Sequence, residues 1–154
     1  MLSREEQKQI NSSFWDGFKE FTKKIKSSNG RRINWLSYPS DVKDVYIRLH
    51  AGTKEAGVFF DIQPKDIGVR AIIWEQMTEL KKVMESTMQL EGEWFENIIL
   101  PDGRMISRIA WTRTELNYLN KEDHAEIYAF LKDTMVAFDA FYQEFKEILI
   151  NLTD

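Results

Sequence analysis

The stretch from Asp44 to Met84 restricts the fold more than any other part of the sequence. Val45, Ile47 and Leu49 alternate with Tyr46, Arg48 and His50, the period of two that marks a half-buried strand. Residues 51 to 55 read as a hairpin loop. Val58, Phe60 and Ile62 then alternate with Phe59, Asp61 and Gln63 on a return strand spanning about residues 56 to 63. Pro64 ends that strand because it has no N–H to donate. Asp66 is placed to cap a helix whose apolar stripe is Ile73, Met77, Leu80 and Met84. Strand, turn, strand and returning helix make an α+β chain the expectation.

The flanking sequence extends the same pattern. Ser3 followed by Glu6 is a capping-box spacing, and Ile10, Phe14, Phe18, Phe21 and Ile25 form one helical stripe over residues 3 to 26. Ser27 to Gly30 closes that helix. Ile33 to Tyr38 reads as a short strand ended by the turn residues Pro39, Ser40 and Asp41. Pro101-Asp102-Gly103 separates β-prone runs at 94–100 and 104–112, a direct hairpin signal. Asn120 or Asp123 is placed to cap a final helix. That helix carries Ile127, Leu131, Met135, Phe138, Phe141 or Tyr142, Phe145, Ile148 or Leu149, and Leu152. These elements predict one sheet of four or five mostly antiparallel strands with three helices, and an αβββαβ order like that of restriction endonucleases if residues 33–38 form the first strand.

With 154 residues and 43% hydrophobic content, residues 1–154 are expected to form one domain burying roughly two-thirds of the unfolded surface. The absence of cysteine excludes disulfides, thiolate nucleophiles and cysteine-ligated metals. No apolar run reaches the eighteen or so residues of a membrane span, and no secretory leader is evident, so a cytoplasmic protein without a membrane partner is expected. The formal charge of −4 is unevenly spread: residues 1–70 hold thirteen Lys or Arg against nine Asp or Glu, and residues 71–154 hold eight against sixteen. The basic run includes Lys23, Lys24, Lys26, Arg31 and Arg32, which could contact phosphates. The more conservative reading of these runs is a set of solvated helix faces.

No phosphate loop, nucleophile elbow or HExxH motif is present. His50 and His124 stand far apart in sequence. One constellation invites chemistry: Asp44 before one hairpin strand and Asp61 on the next. Restriction-type nucleases place an aspartate and an acid-x-lysine at such positions to hold Mg²⁺, because hard cations prefer oxygen ligands. Gln63 occupies the lysine position here, with Lys65 or Gln76 as alternative sources of a polar group. On that reading Asp44 and Asp61 are metal ligands, and Asp44, Asp61 and Gln63 are catalytic. The alternative is that Asp44 is a turn acid and Asp61 pairs across the sheet with Arg48 or Arg108. Otherwise no cofactor is implied. A second candidate surface is the sheet face carrying Tyr46, Arg48, Phe59, Asp61, Arg108 and Trp111, where aromatics and arginines would bind a peptide or bases. The competing expectation is that the last helix covers that face. A long C-terminal stripe would also suit a homodimer seam.

Phe14-Trp15, Asn34-Trp35, Lys43-Asp44 with Tyr46 and Arg48, Gly68 with Arg70, Glu75-Gln76, Ser107-Arg108-Ile109 and Asn120 to Asp123 together resemble a bacterial family of unknown function. The resemblance runs from about Phe14 to Phe145. Members of that family occur alone or as the C-terminal domain behind a restriction-endonuclease-like domain, and their pattern tends to glutamate at the Asp61 position. The resemblance implies an accessory domain linked to DNA processing or defence, acting on a protein or nucleic-acid partner. It assigns no catalytic residue.

Overall fold

The capping box at Ser3 forms as the spacing requires: the serine oxygen accepts from Glu6 N, and the Glu6 carboxylate accepts from Ser3 N. It starts helix α1 (Arg4–Thr22), the first element of a computed structural model that describes residues 1–153. Strands β1 (Val45–Ala51) and β2 (Glu55–Ile62) make the first hairpin, helices α2 (Ile67–Glu79) and α3 (Lys81–Met88) follow, and β3 (Glu93–Ile99) and β4 (Met105–Thr114) make the second hairpin. A short 3-10 turn (Lys121–Asp123) leads into α4 (His124–Thr153). The sheet is antiparallel throughout, in the order β1-β2-β4-β3.

Alternation decides which side chains the helices cover. In register, Ile47 faces Phe60 and Phe60 faces Ile109, while Leu49, Val58 and Trp111 form the next row. These residues point at α4, where Phe138 lies 5.8 Å from the Phe60 ring and 5.9 Å from that of Trp111. Each fully buried side chain of this size contributes roughly 1.5–3 kcal/mol through removal of apolar surface from water. Phe14 and Phe18 of α1 reach the same core, whereas Phe21, expected on that stripe, is 46% exposed at the helix end. No helix among the described residues is long and apolar enough to cross a membrane.

Three expectations are corrected. Residues 33–38 form no strand, so the order is αββααββα, not αβββαβ. The Asn34 side chain instead accepts from Leu36 N and Ser37 N, a local turn that competes with sheet pairing. The helix expected through Met84 bends at Leu80 (φ −88°, ψ −2°), which makes four helices instead of three and keeps Leu80, Met84 and Met88 on the core. Trp111 lies on the helix-covered face, 2% exposed, and not among the outward residues.

The segment from Lys23 to Asp44 is irregular yet tied to α4. Buried Asp139 accepts from Ser27 Oγ (2.8 Å), Ser28 N (2.7 Å) and the Tyr38 hydroxyl (2.7 Å). The Tyr142 hydroxyl donates to Ser40 O, and Lys146 pairs with Asp41 at 3.0 Å. Buried polar groups of a long loop are thereby satisfied by one helix.

Candidate functional site at the open sheet face and its cleft

Because all of β2's even-numbered core residues turn toward the helices, its odd residues share the opposite face with Tyr46, Arg48 and His50 of β1 and Arg108 of β4. The last helix does not cover this face. Tyr46 is 42% exposed there, and Arg48 is exposed as well. Its side chains form one continuous chain of contacts. The Arg48 guanidinium lies 4.6 Å from the Tyr46 ring centre and 3.3 Å, through Nε, from Asp61 Oδ2. Arg108 grips Asp61 with both arms, Nε to Oδ1 at 2.7 Å and Nη2 to Oδ2 at 3.0 Å. The same guanidinium sits 4.1 Å over Phe59, which stacks on His50 at 5.5 Å. His50 Nε2 meets Glu55 Oε1 at 2.8 Å.

Asp61 is therefore a fully buried carboxylate whose two oxygens are both engaged by guanidinium groups. Two-armed arginine pairing is among the strongest arrangements available to a carboxylate. Asp44 stands elsewhere in the register: Tyr46 faces Asp61, while the Asp44 carbonyl accepts from Gln63 N at 2.8 Å. Asp44 adopts φ +61° and Asp41 φ +62° just ahead of β1. Aspartate is one of the few side chains that accept this left-handed backbone. Among the described residues, no group of three or more His, Cys, Asp or Glu is arranged to hold a metal ion. Gln76, on α2, contacts Glu79 at 3.5 Å and takes no part in the face.

Where the face meets the start of α2, a cleft of about 350 Å³ opens between Asp44, Tyr46, Gln63, Pro64, Lys65, Ile67, Arg70, Arg104, Met105 and Ile106. It thus gathers four of the sequence-selected residues, Asp44, Tyr46, Gln63 and Lys65. Arg70, which the sequence did not mark as functional, enters from the first turn of α2, itself capped by Asp66 through Gly68 N and Val69 N. Its Nη1 donates to Glu96 O, Asn97 Oδ1 and Ser107 Oγ, holding the irregularity of β3 between Phe95 and Ile98. Its sequence signals were its place among the residues that carry the family resemblance and a cation three residues before Ile73 on the apolar stripe. At the rim, the backbone N–H and guanidinium of Arg104 hold the Asp102 carboxyl below its usual range.

A family model described as Domain of unknown function (DUF4268) matches residues 10–146. The chain belongs to that family. The match takes in both hairpins, the open face and the cleft, and all of the helical layer except residues 4–9 of α1 and 147–153 of α4. No curated protein and no solved structure matches the chain.

Proposed function

We propose that this domain is a non-catalytic interaction module that docks a partner protein on its uncovered sheet face. One observation carries the reading: the acid that would anchor a nuclease metal, Asp61, is buried and held by Arg48 and Arg108. A shared cation needs carboxylate oxygens that are free to coordinate it, whereas a bound pair of arginines shapes a rigid, aromatic-flanked surface. Exposed Tyr46 beside the half-exposed Arg48 side chain supplies the residue types that dominate binding hot spots. The overall charge of −4 favours a protein partner over nucleic acid. In the longer family members implied by the sequence resemblance, the companion endonuclease-like domain is the natural partner, in a bacterial cytoplasmic setting of DNA processing or defence.

The test is a ¹⁵N-resolved titration of this chain with the isolated endonuclease-like domain of a longer member. Shifts confined to Tyr46, Arg48, Phe59, Arg108 and Phe95, which pairs with Arg108 from β3, support the reading. Shifts centred on the C-terminal half of α4 would overturn it in favour of that helix as the contact surface.

A second reading has its own observation. Lys23, Lys24, Lys26 and Arg32 line one cleft of about 470 Å³, and only Lys23 has an acidic partner, Glu20 at 3.1 Å, among the described residues. Four cations on a nucleic-acid backbone would give an affinity that falls with salt at a slope of about −3 on logarithmic axes. Fluorescence anisotropy with single-stranded and duplex oligonucleotides at two salt concentrations measures this, and a flat response removes it.

A further inference from the structure

We propose that the cleft beside α2 is a binding site for a small organic oxyanion, a phosphate or carboxylate head on an apolar body. This rests on the cleft alone and not on what docks on the open face.

Two nine-tenths-buried polar side chains that line the cleft, Arg70 and Gln63, carry donors that no described protein group takes up. Arg70 is 9% exposed, and all of its hydrogen bonds run through Nη1 to neutral acceptors; its Nε and Nη2 hydrogens have no partner, and it has no acidic counter-charge among the described residues. A cation withdrawn from water without a counter-ion is costly, so an anion arriving there recovers interaction energy that the protein leaves unmade. Gln63 is 8% exposed, and its Oε1 accepts from Arg48 Nη2 at 2.9 Å. Because a guanidinium only donates, that contact fixes the amide with oxygen toward Arg48, which leaves Nε2 as a free donor. These donors are not sealed in: the sealed side-chain nitrogens and oxygens without partners among the described residues are the indole N–H groups of Trp94 and Trp111.

Charge and shape agree. Lys65, Arg70 and Arg104 line the cleft against one acid, Asp44, and Arg104 is neutralised by Asp102 at 2.8 Å. Tyr46, Pro64, Ile67, Met105 and Ile106 supply apolar wall. A guanidinium presenting two adjacent N–H groups matches the two oxygens of a phosphate or carboxylate, and about 350 Å³ lies within the range of small-molecule sites. A groove of about 800 Å³ along the free edge of β1 differs in that its buried polar side chains are already paired. There Tyr38 is taken by Asp139, Asp41 by Lys146, and Ser40 by the Val42 and Val45 carbonyls.

The experiment follows the Arg70 Nε–Hε resonance while the full chain is titrated with phenyl phosphate, benzoate or inorganic phosphate. Ile67→Trp serves as the variant that fills the cleft from an exposed position, since Arg70 also anchors β3. The expected result is a saturable shift with phenyl phosphate or benzoate below about 1 mM, weakened at least about tenfold in Ile67→Trp. The stronger of the two probes identifies the head group, and inorganic phosphate, lacking the apolar body, binds more weakly. No saturable shift with any probe, or a shift unchanged in Ile67→Trp, overturns the proposal.

Discussion

Asp61 and Asp44, the two acids that suggested chemistry in the sequence, have different structural reasons to be acidic. Replacing Asp61 with Ala leaves Arg108, whose side chain is only 16% exposed, without its counter-ion. The expected loss is about 3 kcal/mol, read from urea denaturation; the contribution through Arg48 is smaller because that side chain is 47% exposed. At Asp44 the backbone, not the carboxylate, sets the requirement. With φ +61°, Asp44→Gly should keep full stability while Asp44→Ala loses about 1 kcal/mol, again by denaturant midpoint. That Asp61 pairs with an arginine was legible as one alternative, Arg48 or Arg108, because alternation along each strand and antiparallel pairing can put these positions on one side; that both engage it came from the register. Arg70 was not legible: its partners lie 26 to 37 residues away, beyond any local pattern.

At the scale of elements, the irregular segment from Lys23 to Asp44 depends on α4. Asp139→Ala removes an acceptor shared by Ser27, Ser28 and Tyr38 and should cost about 3 kcal/mol, since buried donors are left unpaired. Hydrogen exchange should show the loss of protection concentrated at Ser27–Asp44 and not in the two hairpins. Both hairpins were readable because their signals are local: alternation over six or more residues, and Pro-Asp-Gly at the second turn. The strand expected at 33–38 failed because the partners of that segment lie about 100 residues away on α4, and the Asn34 turn satisfies its own backbone. The bend at Leu80 was hidden for a related reason, as the sequence there holds neither Gly nor Pro and the curvature comes from following the core.

For the whole molecule, two buried tyrosines, Tyr38 and Tyr142, and the half-buried Tyr128 link fold stability to alkaline pH. Burial, and next the hydrogen bond to Asp139, raises the Tyr38 hydroxyl above its ordinary pKa. Burial, and next the negative Asp41, raises Tyr142, and burial raises Tyr128. The folded chain thus holds these protons more tightly than the unfolded chain. Their stabilisation is complete below the unfolded tyrosine pKa of about 10 and is lost as pH rises past it. Urea midpoints should fall above about pH 10, with a shallower slope in Tyr38→Phe. The helices stabilise one face of the sheet and leave the other to hold its own ion pairs, which is why a surface suited to docking and a buried carboxylate occur on the same strand. Calorimetric titration with Mg²⁺ and Mn²⁺, on the native chain and on Asp44→Asn and Asp61→Asn, tests this account most directly. It predicts no saturable heat at concentrations up to about 1 mM that depends on either acid. A saturable isotherm abolished by both substitutions would contradict it and return the chain to the metal-dependent nucleases.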